Sequence, residues 1–145
     1  MTDSLNVALV RSIYADWERG DFSSADWADH EIEYVVVDGP DPGRWHGVAG
    51  MAKGWGDLLK AWQDARAMAE RYRQLDGERV LVLDHRSALG KMSGLNLEER
   101  WTRGATLWHV RDGKVTRLVI YWDRDRALAD LGLTPDDDKT EGKEV

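Results

Sequence analysis

The side chains that could carry chemistry in this sequence are histidines, carboxylates and tryptophans, because cysteine is absent. The lack of cysteine excludes disulfides, thiolate metal sites and cysteine nucleophiles. The four histidines, His30, His46, His85 and His109, do not fall at zinc-ligand spacing, so the sequence predicts no metal site. What remains is proton transfer by a carboxylate or histidine in a dry pocket, which needs no cofactor, and binding by aromatic surfaces.

Tryptophan is the unusual component. The chain has eight Trp and one Phe among 145 residues. An indole combines a large apolar body with one N–H that needs a partner when it is buried. The positions of the indoles in the fold therefore matter more than their number; they are Trp17, Trp27, Trp45, Trp55, Trp62, Trp101, Trp108 and Trp122.

Three helices are predicted around these residues. Leu5, Leu9, Ile13 and Trp17 recur every four residues, with Val10 and Tyr14 beside them, and Gly20 ends the pattern. A second apolar stripe runs over residues 48–62, interrupted by glycines that either permit a close backbone approach or serve packing. A third, short helix covers residues 124–131. Residues 23–28 favour one or two further helical turns.

Five strands are predicted between and after the helices. Residues 31–37 form the first, before a loop at 38–43 that is rich in Gly, Pro and Asp. Asp76-Gly77 and Asp112-Gly113 indicate two hairpins, of residues 66–75 with 79–89 and of 101–110 with 114–122. A loop is expected near residues 90–94. The fold class is therefore α+β, a curved antiparallel sheet packed on helices, in one domain of residues 1–133 before an acidic, unstructured tail at 134–145.

Composition and charge limit the classes of partner that we expect this protein to bind. The formal net charge of −7 and the lack of a basic stripe argue against a nucleic-acid partner. No apolar run reaches membrane-spanning length and no basic region precedes the first apolar residues, so we expect a cytoplasmic protein without a membrane partner.

The order and spacing of three segments resemble the nuclear transport factor two-like superfamily, which includes ketosteroid isomerases, limonene epoxide hydrolases and SnoaL-type polyketide cyclases. The resemblance runs from about Leu5 to Leu133. Its segments are Trp17-Glu18-Arg19-Gly20-Asp21, the loop from Gly39 to Gly47, and Trp108 to Val115 followed by Tyr121-Trp122-Asp123-Arg124. It implies a cone-shaped sheet around an apolar pocket. It implies no single activity, because this fold hosts many.

Alternation along the last hairpin predicts which side chains face the pocket. If Asp112-Gly113 forms a turn with a glycine bulge, Val110 pairs with Lys114, and even-numbered positions of both strands share the helix-facing side. A plain two-residue type I′ turn would change this pairing. The opposite face is mixed enough for solvent or for a homodimer contact. The resemblance adds residues from the first two helices, so the expected ligand-binding set is Ile13, Trp17, Trp55, Trp108, Leu118, Ile120 and Trp122. Flat aromatic walls suit an apolar or aromatic small molecule, although the same indoles could simply fill the core.

Asp38 is the expected catalytic base. Counted back from Gly47, it falls where the resemblance implies the general base of an isomerase; counted forward from Asp29, that place falls near Val35. Desolvation beside an apolar pocket raises the pKa of a carboxylate, which suits proton abstraction next to a carbonyl. The alternative is a turn aspartate that binds its own loop amides.

The usual partners of such a base are missing. The positions at which an isomerase carries its oxyanion donors hold Ile13 and Thr106, and the side chain of Tyr14 is turned about 100° away from that of Ile13. Thr106 and Tyr34 are the polar partners that we expect instead. His85 joins them if it faces the pocket; a one-residue slip of its strand would replace it by Asp84 and Arg86.

Two functions follow. The first is a small-molecule-binding protein that acts as a cofactor-free isomerase, cyclase or lyase on an apolar, carbonyl-bearing substrate. The second is a non-catalytic, dimeric ligand-binding or protein-interaction module whose cone holds a ligand or is filled by its own tryptophans.

Overall fold

The nine helices and strands follow the predicted order with one addition. A computed structural model describes residues 5–21, 26–38, 42–90 and 99–133, without the side chains of residues 57–66, 87–90 and 99–102. The added element is a short strand, Gly43–His46, inside the segment predicted as a loop. The elements are α1 (Leu5–Glu18), β1 (Ala28–Val36), β2 (Gly43–His46), α2 (Gly47–Ala61), β3 (Trp62–Gln74), β4 (Arg79–Gly90), β5 (Glu99–Arg111), β6 (Lys114–Tyr121) and α3 (Arg124–Asp130).

The strands form one curved, unclosed sheet in the order β2-β1-β6-β5-β4-β3. Neighbouring strands are antiparallel except β1 and β6, which run parallel. The α+β class is thus confirmed, with one parallel pairing in a sheet that was expected to be antiparallel. Residues 23–25, 91–94 and 134–145, where a helical turn, a loop and a tail were predicted, lie outside the described residues; Asp26 and Trp27 form a turn and Ala28 already belongs to β1.

Helix α1 forms where it was predicted, but its buried face is rotated. Val7, Val10, Tyr14 and Trp17 are buried together with Ile13, whereas Leu5 is 88% exposed. The helix carries two overlapping apolar stripes, and the one that contains Val10 and Tyr14 meets the sheet. Gly20 ends the helix with a positive φ of 80°, a conformation that costs glycine little.

The β5–β6 hairpin places even-numbered residues of both strands on the inner face, as predicted, but through a different turn followed by a bulge. Asp112 and Gly113 both have positive φ, as in a two-residue type I′ turn, so Arg111 pairs with Lys114 and not Val110. A bulge follows at Thr116, and beyond it Trp108 pairs with Leu118. The extra residue restores the even-with-even pairing that a plain two-residue turn would have lost.

The two faces of the sheet bury separate clusters. The inner face packs Val80, Val82, Trp108, Val110 and Leu118 against α1 and α2. The outer face packs odd-numbered residues of β4, β5 and β6 against Ala127 and Leu128 of α3. Asp123 caps α3 by accepting a hydrogen bond from the backbone N–H of Asp125. Part of the face that was expected to meet solvent or a partner is therefore covered by α3.

No helix in the described ranges is both long and apolar enough to cross a bilayer.

Candidate functional site

The inner face holds a cluster of aromatic rings in mutual contact. Trp17 lies 5.3 Å from Trp55 and 5.4 Å from Trp108, measured between ring centroids. Tyr14 contacts Trp17 and Trp108 at 5.2 and 5.8 Å, and Trp27 contacts Trp108 at 5.5 Å. The indole N–H of Trp108 is buried and has no hydrogen-bond partner among the described residues. Three of the predicted ligand-binding tryptophans thus touch one another.

The other predicted ligand-binding residues share this face but lie around its margins. Leu118 is fully buried, while Ile120 and Trp122 are partly buried against the same cluster. Ile13 packs into the cluster and also borders an open groove of about 520 Å³ on the far side of α1. That groove is lined by Leu9, Ser12, Ile13, Asp16, Asp26, Trp27, Gly113 and Lys114, so none of the polar residues predicted for the site borders it.

A buried carboxylate on β4 organises the polar part of this face. Asp84 has no exposed surface, and one of its oxygens accepts hydrogen bonds from the hydroxyls of Tyr14 at 2.6 Å and of Thr106 at 2.8 Å. The other oxygen accepts from Arg86 at 3.1 Å. Burial, followed by the charge of Asp84, raises the pKa of Tyr14 well above its usual value. Tyr14 therefore remains a neutral donor to the carboxylate.

Arg86 lies where β6 leaves the sheet. Its guanidinium donates to the carbonyl oxygens of Tyr121 at 3.1 Å and Ala105 at 3.2 Å, and to the Thr106 hydroxyl at 3.1 Å. Gly104 makes room for it: a Cβ there would lie 2.9 Å from a guanidinium nitrogen and 2.4 Å from the Tyr121 carbonyl oxygen. The Arg86 side chain is still 20% exposed. A partly exposed cation is thus held on the face that carries the aromatic rings.

Tyr34 occupies the neighbouring part of the inner face. Its ring lies between Trp45 at 5.3 Å and Trp55 at 6.1 Å, and the Trp55 N–H donates a hydrogen bond to its hydroxyl. Gly54 allows this packing, because a Cβ there would come within 3.0 Å of Trp45. This is the close backbone approach that the glycines of α2 suggested. Burial raises the pKa of Tyr34 to about 12, although the charge of Arg86 opposes the shift.

His85 belongs to the outer face, so the alternative in which Asp84 and Arg86 replace it on the inner face is the one observed. Its Nδ1 lies 2.7 Å from a Glu70 oxygen, and the other Glu70 oxygen lies 3.0 Å from Arg124. Burial opposes a lower pKa for Glu70, but the hydrogen bond from His85 and the charge of Arg124 outweigh it and lower that pKa. Arg124, only 4% exposed, also donates to the backbone carbonyls of Asp84 at 2.7 Å and Gly104 at 3.0 Å. The outer-face cluster therefore supports the backbone that presents Asp84.

Asp38 joins the end of β1 to the start of α3. One of its oxygens accepts from the backbone N–H of Trp122 at 2.6 Å and the other from that of Asp123 at 3.2 Å. It is half-buried. These contacts resemble the turn-aspartate alternative, except that the amides belong to a distant segment. They leave a free lone pair on each oxygen.

The structure thus brings Thr106 together with Asp84, Arg86 and Tyr14, places Tyr34 on the same face, and moves His85 to the other. From the sequence, Asp84 and Arg86 were expected at the site only as the alternative to His85, and Tyr14 was not expected there. The pairing of Val80 with Trp108 assigns Asp84 and Arg86 to the inner face, because even-numbered positions of β4 then share the face of Trp108. Within the described part of the chain, no group of His, Asp or Glu side chains could hold a metal ion.

Solved structures share this fold over most of the chain. TerC co-crystallised with polyporic acid has a TM-score of 0.68 at 21% identity, covering 90% of this chain and 98% of TerC. A candidate SnoaL-like polyketide cyclase from Jannaschia sp. CCS1 has a TM-score of 0.67 at 14% identity, covering 83% and 90%. A protein of ketosteroid isomerase-like fold from Catenulispora acidiphila DSM 44928, in complex with trimethylamine, has a TM-score of 0.66 at 15% identity, covering 88% and 95%. The fold is that of the nuclear transport factor two-like class, as the resemblance implied.

The sequence places the chain more closely within that class. The family model described as a SnoaL-like domain matches residues 10–118. The chain therefore belongs to the SnoaL-like domain family. No curated protein matches the sequence.

Proposed function

We propose that this protein binds a small, largely apolar molecule whose oxygen accepts a hydrogen bond from Arg86. The observation that carries the proposal is the Arg86 side chain, a partly exposed cation on a face built mostly from aromatic rings. A cation is costly to hold in such surroundings, and Asp84 offsets that cost. Trp55, Ile120 and Trp122 are among the partly exposed apolar side chains of the same face, and they are the surfaces we expect the body of the ligand to contact.

Proteins of the same fold support a small-molecule ligand. TerC was crystallised with polyporic acid and the Catenulispora protein with trimethylamine. Both are small organic molecules, although their chemistries differ. For this chain, an arginine at the polar end favours a ligand that offers an acceptor.

The reaction that we propose is proton removal from a carbon next to the ligand carbonyl, the first step of a cofactor-free isomerase, cyclase or lyase. Asp38 is the proposed acceptor of that proton. It is half-buried next to Trp122 and keeps a lone pair on each oxygen, whereas the Asp84 carboxylate has three donors and no exposed surface. The proton moves from the carbon to Asp38 while the electron pair of the C–H bond moves onto the carbonyl oxygen, where Arg86 stabilises the charge. Asp84 acts as a positioning residue for Arg86.

Deuterium exchange tests this without knowledge of the natural substrate. The protein is incubated with 2-acetylnaphthalene in D₂O, and loss of the acetyl methyl signal is followed by proton NMR. We expect exchange faster than in buffer, abolished in Asp38→Asn and unchanged in Asp29→Asn, which alters a β1 carboxylate bonded to the Glu31 amide. Equal exchange in the wild type and Asp38→Asn would refute the role of Asp38 as base.

A second candidate function, a non-catalytic interaction module, is favoured by the ring contacts of Trp17, Trp55 and Trp108. Such rings leave little room among themselves. Isothermal titration calorimetry with the same ketone separates the two, because a filled interior gives no binding heat and no exchange.

A further inference from the structure

The hydroxyl of Tyr34 has one hydrogen-bonding role filled and one open. Tyr34 is 2% exposed. Its oxygen accepts from the indole of Trp55, which can only donate. Among the residues that the structure describes, no acceptor takes the hydroxyl proton of Tyr34. Buried hydroxyls normally find a partner for that proton, so its availability points to a group from outside the chain.

Arg86 also keeps open donors. Its four hydrogen bonds to protein acceptors all use the two terminal nitrogens. A guanidinium carries five N–H donors, one of them on Nε. In the described part of the chain, the Nε–H of Arg86 has no acceptor. Arg86 therefore keeps an N–H group that can donate to a ligand oxygen.

The sheet places these two donors on the same face. Val36 of β1 pairs with Ile120 of β6, and Ile120 pairs with Thr106 of β5, whose hydroxyl contacts Arg86. Tyr34 is the preceding inward-facing position of β1. Neighbouring strands are about 4.8 Å apart, so the backbones of β1 and β5 lie about 10 Å apart. Arg86 is close enough for its charge to act on the Tyr34 hydroxyl.

We infer that the Tyr34 hydroxyl and the Arg86 guanidinium form a two-donor site that selects a ligand oxygen able only to accept hydrogen bonds, such as a ketone, ester or enolate oxygen. This inference rests on the proposed function and specifies its ligand class. The Asp84 carboxylate beside Arg86 is buried and already accepts three hydrogen bonds, so the two open donors favour a carbonyl oxygen over an amine or ammonium group. A carbonyl oxygen can accept hydrogen bonds from both donors at once. Both hydrogen bonds strengthen as negative charge develops on that oxygen.

The test compares two ligands of nearly equal shape. In 2-acetylnaphthalene a carbonyl oxygen stands where 2-isopropenylnaphthalene has a CH₂ group. Affinities for the wild type, Tyr34→Phe and the control Tyr121→Phe are measured by isothermal titration calorimetry. Tyr34→Phe keeps the ring that contacts Trp45 and Trp55, and Tyr121 lies on the outer face. Circular dichroism melting of each variant reports its folding.

We expect the wild type to bind the ketone at least about tenfold more tightly than the alkene. Tyr34→Phe should weaken ketone binding by about threefold to tenfold and leave alkene binding unchanged; Tyr121→Phe should change neither. Equal affinity of the wild type for both compounds would overturn the two-donor site while leaving the proposed binding intact. An equal loss for both compounds in Tyr34→Phe would mean that Tyr34 contributes only shape to the site. That result would also overturn the two-donor site. Binding of neither compound would overturn the proposed function and this inference together.

Discussion

Removing the hydroxyl of Tyr14 should destabilise the protein by about 2 kcal/mol. In Tyr14→Phe the ring keeps its contacts with Trp17, Tyr72 and Trp108, so the change isolates the 2.6 Å hydrogen bond to Asp84. Hydrogen bonds to charged groups contribute about 1.5–3 kcal/mol. Asp84 keeps its bonds from Thr106 and Arg86, which limits the loss and places the expectation near the middle of that range.

The assay is urea denaturation followed by tryptophan fluorescence. The midpoint should fall with an unchanged m-value, and the melting temperature should drop by about 4–8 °C. Tyr121→Phe is the matched control, because its hydroxyl contacts the exposed Asp130 at 3.2 Å, and we expect a loss below about 1 kcal/mol. If the two variants lose the same stability, or if Tyr14→Phe loses less than about 0.5 kcal/mol, the buried hydrogen bond from Tyr14 to Asp84 is refuted.

Four further outcomes follow from the structure. Gly104→Ala should cost about 1–3 kcal/mol in a urea titration, because its methyl group would collide with the Tyr121 carbonyl and Arg86. Gly56→Ala, which has open space in α2, should instead gain up to about 1 kcal/mol; a loss there would contradict the helix assignment. Asp38→Asn should lower stability by about 1–2 kcal/mol, since an amide can accept only one of the two backbone hydrogen bonds, and an unchanged urea midpoint would argue against the contact. The Tyr34 pKa of about 12 exceeds its unfolded value of 10.0, so its stabilisation is complete below pH 10 and is lost as the pH rises through 12. Urea titrations should show Tyr34→Phe losing about 1.4 kcal/mol less than the wild type between about pH 8 and about pH 11, and parallel pH profiles would contradict the burial of this hydroxyl.

The local signals of the sequence were sufficient for most of the framework. The four-residue apolar recurrence predicted α1, and the Asp-Gly pairs predicted both hairpins, because these patterns depend only on neighbours along the chain. The assignment of Trp108 and Leu118 to the inner face was also correct. It survived a wrong turn type because the bulge at Thr116 compensated for it. Strand β2 was missed, since Gly43–His46 is short and follows a segment rich in Pro and Gly.

The facing of β4 could not be predicted from its own residues. Val80, Leu81, Val82 and Leu83 are all buried, because α1 covers one face of this strand and α3 the other, so alternation carries no information there. Eight residues separate the end of β4 from the start of β5, so the sequence offers no two-residue turn from which their pairing could be predicted. Whether Asp84 or His85 faced inward was therefore settled by the pairing of β4 with β5.

The sequence alone determined most of the segments that become helices and strands, though not β2, and that its aromatic residues would gather on one face, because periodicity reports which side of an element is apolar. Only the tertiary structure decided that Asp84, and not His85, meets Tyr14 and Thr106, and that Asp38 holds the start of α3. Those contacts join residues 22 to 85 positions apart in the chain. Their geometry is fixed by strand register and by the packing of α1 and α3, which no local pattern encodes.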